Sequence, residues 1–312
     1  MQGLGASAAP AEIMTKRSNR AVPGISNQSP CYHPRMRNNE QQHPAAGRTA
    51  KSKLPIAPMA VIAATIALLI GVAIAGNSCT AATPYHWENL KDEDGRMAYY
   101  EDGKKVSAVG VDVSDLQGDI DWNAVKNDGV DFAVLRCGRR GQTEGGLYTD
   151  TKFSQNVTGV TQAGLPFGVY FYSQATSEEE AREEAEYVLE LINGVGVKYP
   201  VVYDQEYTAN NEARANNLSS EQLTKNAQAF CSAVENAGYT PMIYGNQHDL
   251  SRLSLSKLDY AVWYAEYDSS HPTSSFGNMV MWQYSHTGKV DGISTQVDMN
   301  ILFSNSWLSP ER

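Results

Sequence analysis

The chain has 312 residues, enough for one large domain or two ordinary ones. Its 42% hydrophobic and 19% charged content excludes a wholly disordered protein. The net charge of −10 is unevenly spread: residues 1–53 carry eight Lys/Arg against two Asp/Glu, the rest 17 against 33, so a piece of +6 precedes one of −16. No basic patch interrupts the acidic part, which argues against nucleic acid as a partner.

Residues 1–53 mix Pro, Asn, Gln, Ser and basic residues without periodicity. Such a segment buries too little apolar surface to offset its ordering entropy and reads as a disordered tail. Residues 54–76 are uncharged, and Ile56 to Gly76 is an apolar run of 21 residues, about the 20 needed to cross a bilayer as a helix. Arg48, Lys51 and Lys53 precede it while Glu88, Asp92 and Glu93 follow. The positive-inside rule therefore keeps the tail in the cytoplasm and exports the rest, giving a single-pass protein of the cell membrane with an extracellular domain. A cleaved signal peptide has a shorter apolar region near the chain start, so an uncleaved anchor is the expectation. Residues 77–105 read as an acidic juxtamembrane linker. Cys31, Cys79, Cys137 and Cys231 form no disulfide framework, and the last two read as buried thiols.

From about residue 106 to 305, apolar strands alternate with amphipathic helices. Ser107–Val113 reads as a strand, Ile120–Lys126 as a short helix and Phe132–Arg136 as a second strand. A helix over Phe153–Ala163 stops at Gly164, and a strand follows at Pro166–Tyr172. Ser177 to Glu180 is a capping box opening the next helix. Further strands are predicted at Pro200–Asp204, Pro241–Tyr244, Tyr260–Tyr264, Met279–Gln283 and Gln296–Asn300, with a helix at Ser220–Ala237. About eight strands in parallel β/α units point to an α/β barrel over an open doubly wound sheet.

Barrel enzymes place their working residues at the C-terminal ends of strands. That rule picks out Asp112, Asp204, Glu206 and Asp298. Asp204 and Glu206 flank Gln205, and side chains at i and i+2 of an extended chain share a face, about 6.6 Å apart. Two carboxyls sharing a site raise each other's proton affinity. Glycoside hydrolysis needs such a pair, one protonated to donate to the leaving oxygen and one ionised. An Asp-x-Glu triplet also arises by chance, and position after an apolar strand is what distinguishes this one. Aromatic residues near strand ends (Tyr170, Tyr172, Tyr203, Tyr244, Trp263, Tyr264, Trp282, Tyr284) can cover sugar rings, although strand alternation turns about half of them toward the helices. Tyr172, Tyr244, Trp263 and Gln283 are the preferred substrate-binding residues, and Trp122 reads as core.

Five blocks in order, Gly110-Val-Asp-Val-Ser-Asp-Leu-Gln-Gly118, Phe132-Ala-Val-Leu-Arg136, Phe167-Gly-Val-Tyr-Phe-Tyr172, Tyr199-Pro-Val-Val-Tyr-Asp-Gln-Glu206 and Val297-Asp-Met-Asn300, closely resemble glycoside hydrolase family 25. The resemblance spans about Val106 to Phe303. It implies a flattened, irregular barrel with fewer helices than strands, and a lysozyme (muramidase) activity on the β-1,4 bond between N-acetylmuramic acid and N-acetylglucosamine. It implies Glu206 as general acid, Asp204 beside the N-acetyl group, and Asp112 and Asp298 in support. Peptidoglycan glycan strands are then the partner, with the membrane held through one N-terminal helix, no metal or cofactor, and a monomer. One departure is Arg136-Cys-Gly-Arg-Arg-Gly141, which stands where many members carry a Lys-x-Thr/Ser-Glu-Gly block, so no catalytic role is carried onto Glu144. Two other readings stay open: a non-catalytic wall-binding module and a glycosidase acting on another amino-sugar polymer.

Overall fold

The computed structural model describes residues 83–274 and 276–304. The expected tail, the apolar span and the first residues of the expected linker lie outside them. Among the described residues no helix is long and apolar enough to cross a membrane.

The stretch expected to be a linker is folded from residue 83 onward. Strands β1 (Leu90–Glu93), β2 (Arg96–Glu101) and β3 (Lys104–Lys105) form an antiparallel meander. Asp94-Gly95 and Asp102-Gly103 take positive φ at both positions (56° and 85°, 50° and 76°), as tight two-residue hairpins require. Tyr99 of β2 and Tyr85 pack on Phe303, with ring centroids 5.7 and 4.3 Å away, and the Tyr85 hydroxyl donates to the Met279 carbonyl at 3.0 Å.

The rest alternates as expected: β4 (Ala108–Val113), α1 (Trp122–Asn127), β5 (Phe132–Arg140), β6 (Leu147–Thr149), α2 (Phe153–Ala163), β7 (Phe167–Tyr172), α3 (Glu178–Leu191), β8 (Val201–Asp204), α4 (Ser220–Asn236), β9 (Pro241–Asn246), α5 (Gln247–Ser251), β10 (Ala261–Ala265), β11 (Met279–Gly288) and β12 (Val297–Leu302). Side-chain caps start several helices: Asp121 accepts from the Ala124 amide, Ser177 from that of Glu180 and Ser219 from that of Gln222. The expected capping box at Ser177 is shifted on its return side, because Glu180 accepts from the amide of Thr176 instead of Ser177. Gly164 ends α2 in the left-handed conformation with φ 64°.

The strands run β4-β12-β11-β10-β9-β8-β7-β5, and a β4–β5 pairing closes them into an eight-stranded barrel, with β6 added to β5 as a hairpin. Helices are fewer than strands because β10 passes to β11, and β11 to β12, without one. The expectation of uniformly parallel units is corrected at β12, which pairs antiparallel with both β11 and β4. The link from β11 to β12, residues 289–296, is too short for the crossover a parallel pair needs, so the chain turns back as a hairpin.

Side-chain alternation sorts each strand between two cores. Ala108, Phe132, Val134, Val202, Met242, Trp263, Met281 and Leu302 fill the barrel interior. Their neighbours, such as Val109, Leu135, Val169, Tyr203 and Ile243, pack outward beneath the helices, together with Trp122. Gly110 leaves room for Phe132 inside, since a Cβ there would lie 2.2 Å from the Phe132 ring. Cys137 and Cys231 are buried free thiols in the outer layer. One charged clamp ties β5 to α3: Arg140, 3% exposed, gives its Nε to Glu184 Oε1 at 2.8 Å, an Nη2 to Glu183 at 2.7 Å and an Nη1 to the Gly145 carbonyl at 2.7 Å.

Candidate active site

The alternation that fills the barrel ends at its upper rim in polar residues. Along β4 the inward positions are Ala108, Gly110 and Asp112; along β8 they are Val202 and Asp204; along β12 they are Leu302, Asn300 and Asp298. Register then sets them level: Asp112 lies opposite Asp298, and Asp204 opposite both Tyr172 and Tyr244. Together with Tyr170, Glu206, Trp263, Tyr267 and Gln283, Asp112, Asp204, Tyr244 and Asp298 line one cavity of about 230 Å³ at the C-terminal ends of the parallel strands. A larger groove of about 670 Å³, lined by Leu255–Asp259 and Phe276–Asn278, lies ahead of β10 and β11, at the opposite pole, and holds a single acid.

The four acids form two pairs, each with a deep and an outer member. Asp112 and Asp204 are 5% and 4% exposed, while Asp298 and Glu206 are partly open. Asp112 Oδ2 accepts from Gln283 Nε2 and from Asn300 Nδ2, both at 2.8 Å, and the acid stands opposite Asp298 in the β4–β12 register. Burial pushes the Asp112 carboxyl well above the carboxylate range, and the charge of Asp298 adds to it. Burial likewise raises Asp298 to about 6. Asp204 and Glu206 are near enough for their carboxyls to interact, and two buried acids so placed hold a proton more readily than either alone. Burial, then the Glu206 charge, holds Asp204 well above its ordinary range. Burial, then the Asp249 charge, raises Glu206 to about 7. Asp204 Oδ1 is buried without a hydrogen-bond partner.

The amide of Gln283 organises the opposite wall. Its Oε1 accepts from the hydroxyls of Tyr244 at 2.7 Å and Tyr267 at 2.6 Å, which turns Nε2 toward Asp112. The Trp263 indole donates to Asn300 Oδ1 at 2.8 Å and stands edge-on to Tyr244, with centroids 4.6 Å apart. Among the described residues, no His, Cys, Asp and Glu group is arranged to hold a metal ion.

The site brings together all four expected acids and three of the four preferred binding residues. Tyr172 lies at the flank of this cavity: it faces inward level with Asp204, and its hydroxyl accepts from Gln142 Nε2 at 3.2 Å at the rim. Tyr203, Tyr264, Trp282 and Tyr284 belong to the outer layer. Asn300 and Tyr267 are additions. Asn300 was accessible to the i, i+2 rule that joins Asp204 to Glu206, since it follows Asp298 by two. Tyr267 lies past the end of β10, where no periodicity marks it. Glu144 lies exposed in the loop between β5 and β6.

A closed β/α barrel with paired carboxyls at its C-terminal rim is the frame of a retaining or inverting glycosidase. The chain belongs to glycosyl hydrolases family 25, whose sequence profile matches residues 111–293. It is 30% identical over 192 residues to the autolytic lysozyme of Clostridium acetobutylicum, covering 61% of this chain and 54% of that protein. It is 31% identical over 204 residues to lysozyme M1 of Streptomyces globisporus, covering 61% of this chain and 66% of that one. The chain thus spans between about half and two thirds of these curated relatives. The crystal structure of a lysozyme from Streptomyces coelicolor superposes with a TM-score of 0.55 at 28% identity, over 64% of this chain and 94% of that one.

Proposed function

We propose that the barrel is a muramidase that hydrolyses the β-1,4 bond between N-acetylmuramic acid and N-acetylglucosamine in peptidoglycan. The observation that carries this reading is the Asp204–Glu206 pair in one cavity, with an Asp204 oxygen buried there without a hydrogen-bond partner. Two relatives named as lysozymes support it.

An acetamido N–H delivered to Asp204 Oδ1 favours the ionised form of that acid. The pair's proton then passes to Glu206, so substrate binding arms the general acid. Glu206 gives this proton to the glycosidic oxygen as the C1–O bond breaks. The acetamido carbonyl oxygen closes on C1, forming a cyclic oxazolinium ion whose positive charge faces ionised Asp204. Water then attacks C1, Glu206 takes the water's proton, and the ring C1–O bond to the acetamide opens, restoring the enzyme and retaining the anomeric configuration. Asp112, held by Gln283 and Asn300, and Asp298 beside it fix the sugar from the other wall. Tyr244 and Trp263 offer ring surface to it.

Residues 54–76 are proposed as an uncleaved single-pass anchor that presents this barrel outside the cell membrane. The charge asymmetry around the apolar run supports that orientation.

Mass spectrometry of fragments released from purified peptidoglycan, with Glu206→Gln as control, tests the activity. Fragments with reducing-end N-acetylmuramic acid, absent with the variant, are expected. Intact glycan with the protein sedimenting on the wall would make the barrel a binding module instead.

A further inference from the structure

Asp249 stands behind the catalytic pair and takes no part in the steps above. It lies in α5, whose first residue follows directly on β9, and Asn246 caps that helix by accepting from the amides of His248 at 2.8 Å and Asp249 at 3.1 Å. The Asp249 side chain is buried, and its Oδ1 accepts the amide of Tyr207, the residue after Glu206, at 2.8 Å. Its Oδ2 is buried with no partner at all. A buried carboxyl oxygen without a donor costs stability, so packing alone gives no reason for an acid here.

The surrounding charges leave it largely unneutralised. Its bond to the Tyr207 amide places it beside the end of the segment that carries Asp204 and Glu206, and its charge adds to the raised proton affinity of both. His248 Nδ1 lies 3.3 Å from Oδ1, on a largely exposed ring. Arg252 sits over the Tyr207 ring at 5.5 Å, but its Nη2 goes to the carbonyls of Ala215 and Asn216 at 3.3 and 2.8 Å.

From this geometry we infer that Asp249 is a positioning residue: it clamps the backbone beyond Glu206 and opposes ionisation of the Asp204–Glu206 pair. The assignment rests on reading Glu206 as the proton donor. A negative charge beside the pair keeps its proton in place to higher pH, extending the range over which the donor is loaded.

The test is Asp249→Asn in the full chain, because Asn keeps an oxygen for the Tyr207 amide and removes only the charge. Two readouts are compared with wild type: the pH dependence of kcat/KM on peptidoglycan, and the carboxyl titration of ¹³C-Glu-labelled protein, with the Glu206 signal identified by its loss in Glu206→Gln. The Glu206 midpoint and the basic limb are both expected to fall by about one pH unit, with KM little changed. Asp249→Ala, which also gives up the Tyr207 acceptor, is expected to lower kcat at every pH. A titration and basic limb in Asp249→Asn that coincide with wild type would overturn the assignment. If the wild-type chain leaves glycan intact while the Glu206 midpoint still falls in Asp249→Asn, the muramidase reading is lost and Asp249 keeps its electrostatic role.

Discussion

Asp298 faces Asp112 across the β12–β4 ladder because β12 runs backward. In a parallel strand, a residue one step from the start would sit at the barrel floor. The reversed direction brings Asp298 to the rim, so the second carboxyl pair depends on strand polarity as much as on residue type. Asp298→Asn should therefore preserve the fold and weaken kcat/KM by about 1.5–3 kcal/mol, the scale of a hydrogen bond to a charged group. Steady-state kinetics on purified peptidoglycan provides the check.

Glu206→Gln should lower turnover by roughly 10²–10⁴-fold, the usual contribution of a positioned acid. It should also stabilise the protein at alkaline pH. The folded-state pKa of Glu206, about 7, lies above that of an exposed glutamic acid. Stability linked to this group is thus fully present below the unfolded value and is lost as pH rises through about 7. At pH 8 the amide escapes that loss, on the order of 1–3 kcal/mol. Thermal melts of both forms at pH 5 and pH 8 should converge at the acidic end and separate at the alkaline one. A variant equally stable or weaker at pH 8 contradicts the stored cost.

Catalysis itself should fall as pH rises through the same region, since the reaction needs the pair's proton. A kcat/KM profile still rising from pH 7 to pH 9 would be incompatible with a loaded Glu206.

Tyr244 and Tyr267 both donate to Gln283 Oε1. Either Phe substitution leaves one donor to hold the amide, so each should cost about 0.5–1.5 kcal/mol in kcat/KM. The double Phe variant frees Gln283 to turn away from Asp112, and its loss should exceed the sum of the singles. Additive losses would show that Gln283 is held by other means.

Two changes remote from the chemistry probe the frame. Gly110→Ala pushes a methyl into the Phe132 ring, and overpacking of this kind costs about 1–3 kcal/mol. Arg140→Ala leaves Glu184 buried beside Ser173 with its cation gone, which should cost about 3–5 kcal/mol. Urea unfolding of each variant measures both.

The barrel was legible because its strands are short apolar runs bounded by capped helices, as at Phe167–Tyr172 and Ser177. Asp204 and Glu206 could be found for the same reason, at the end of such a run. The direction of β12 could not, since an apolar strand reads the same in either polarity. The meander over Leu90–Glu101 was obscured by its acidic, exposed face, although Asp94-Gly95 and Asp102-Gly103 carry the hairpin signal. Tyr267 and Asp249 reach the site from beyond strand ends, where contact depends on how loops return over the barrel.

The contact of Tyr85 and Tyr99 with Phe303 has a directional consequence. Phe303 follows Leu302, which pairs with Ala108 at the barrel floor, and Tyr85 is bonded to the first residue of β11 at that same floor. Both ends of the described stretch, residues 83 and 304, therefore lie toward the underside, away from the face that carries the acids. A label or a solid support attached at either of these positions would sit on the back of the barrel and leave its mouth open to a long polymer.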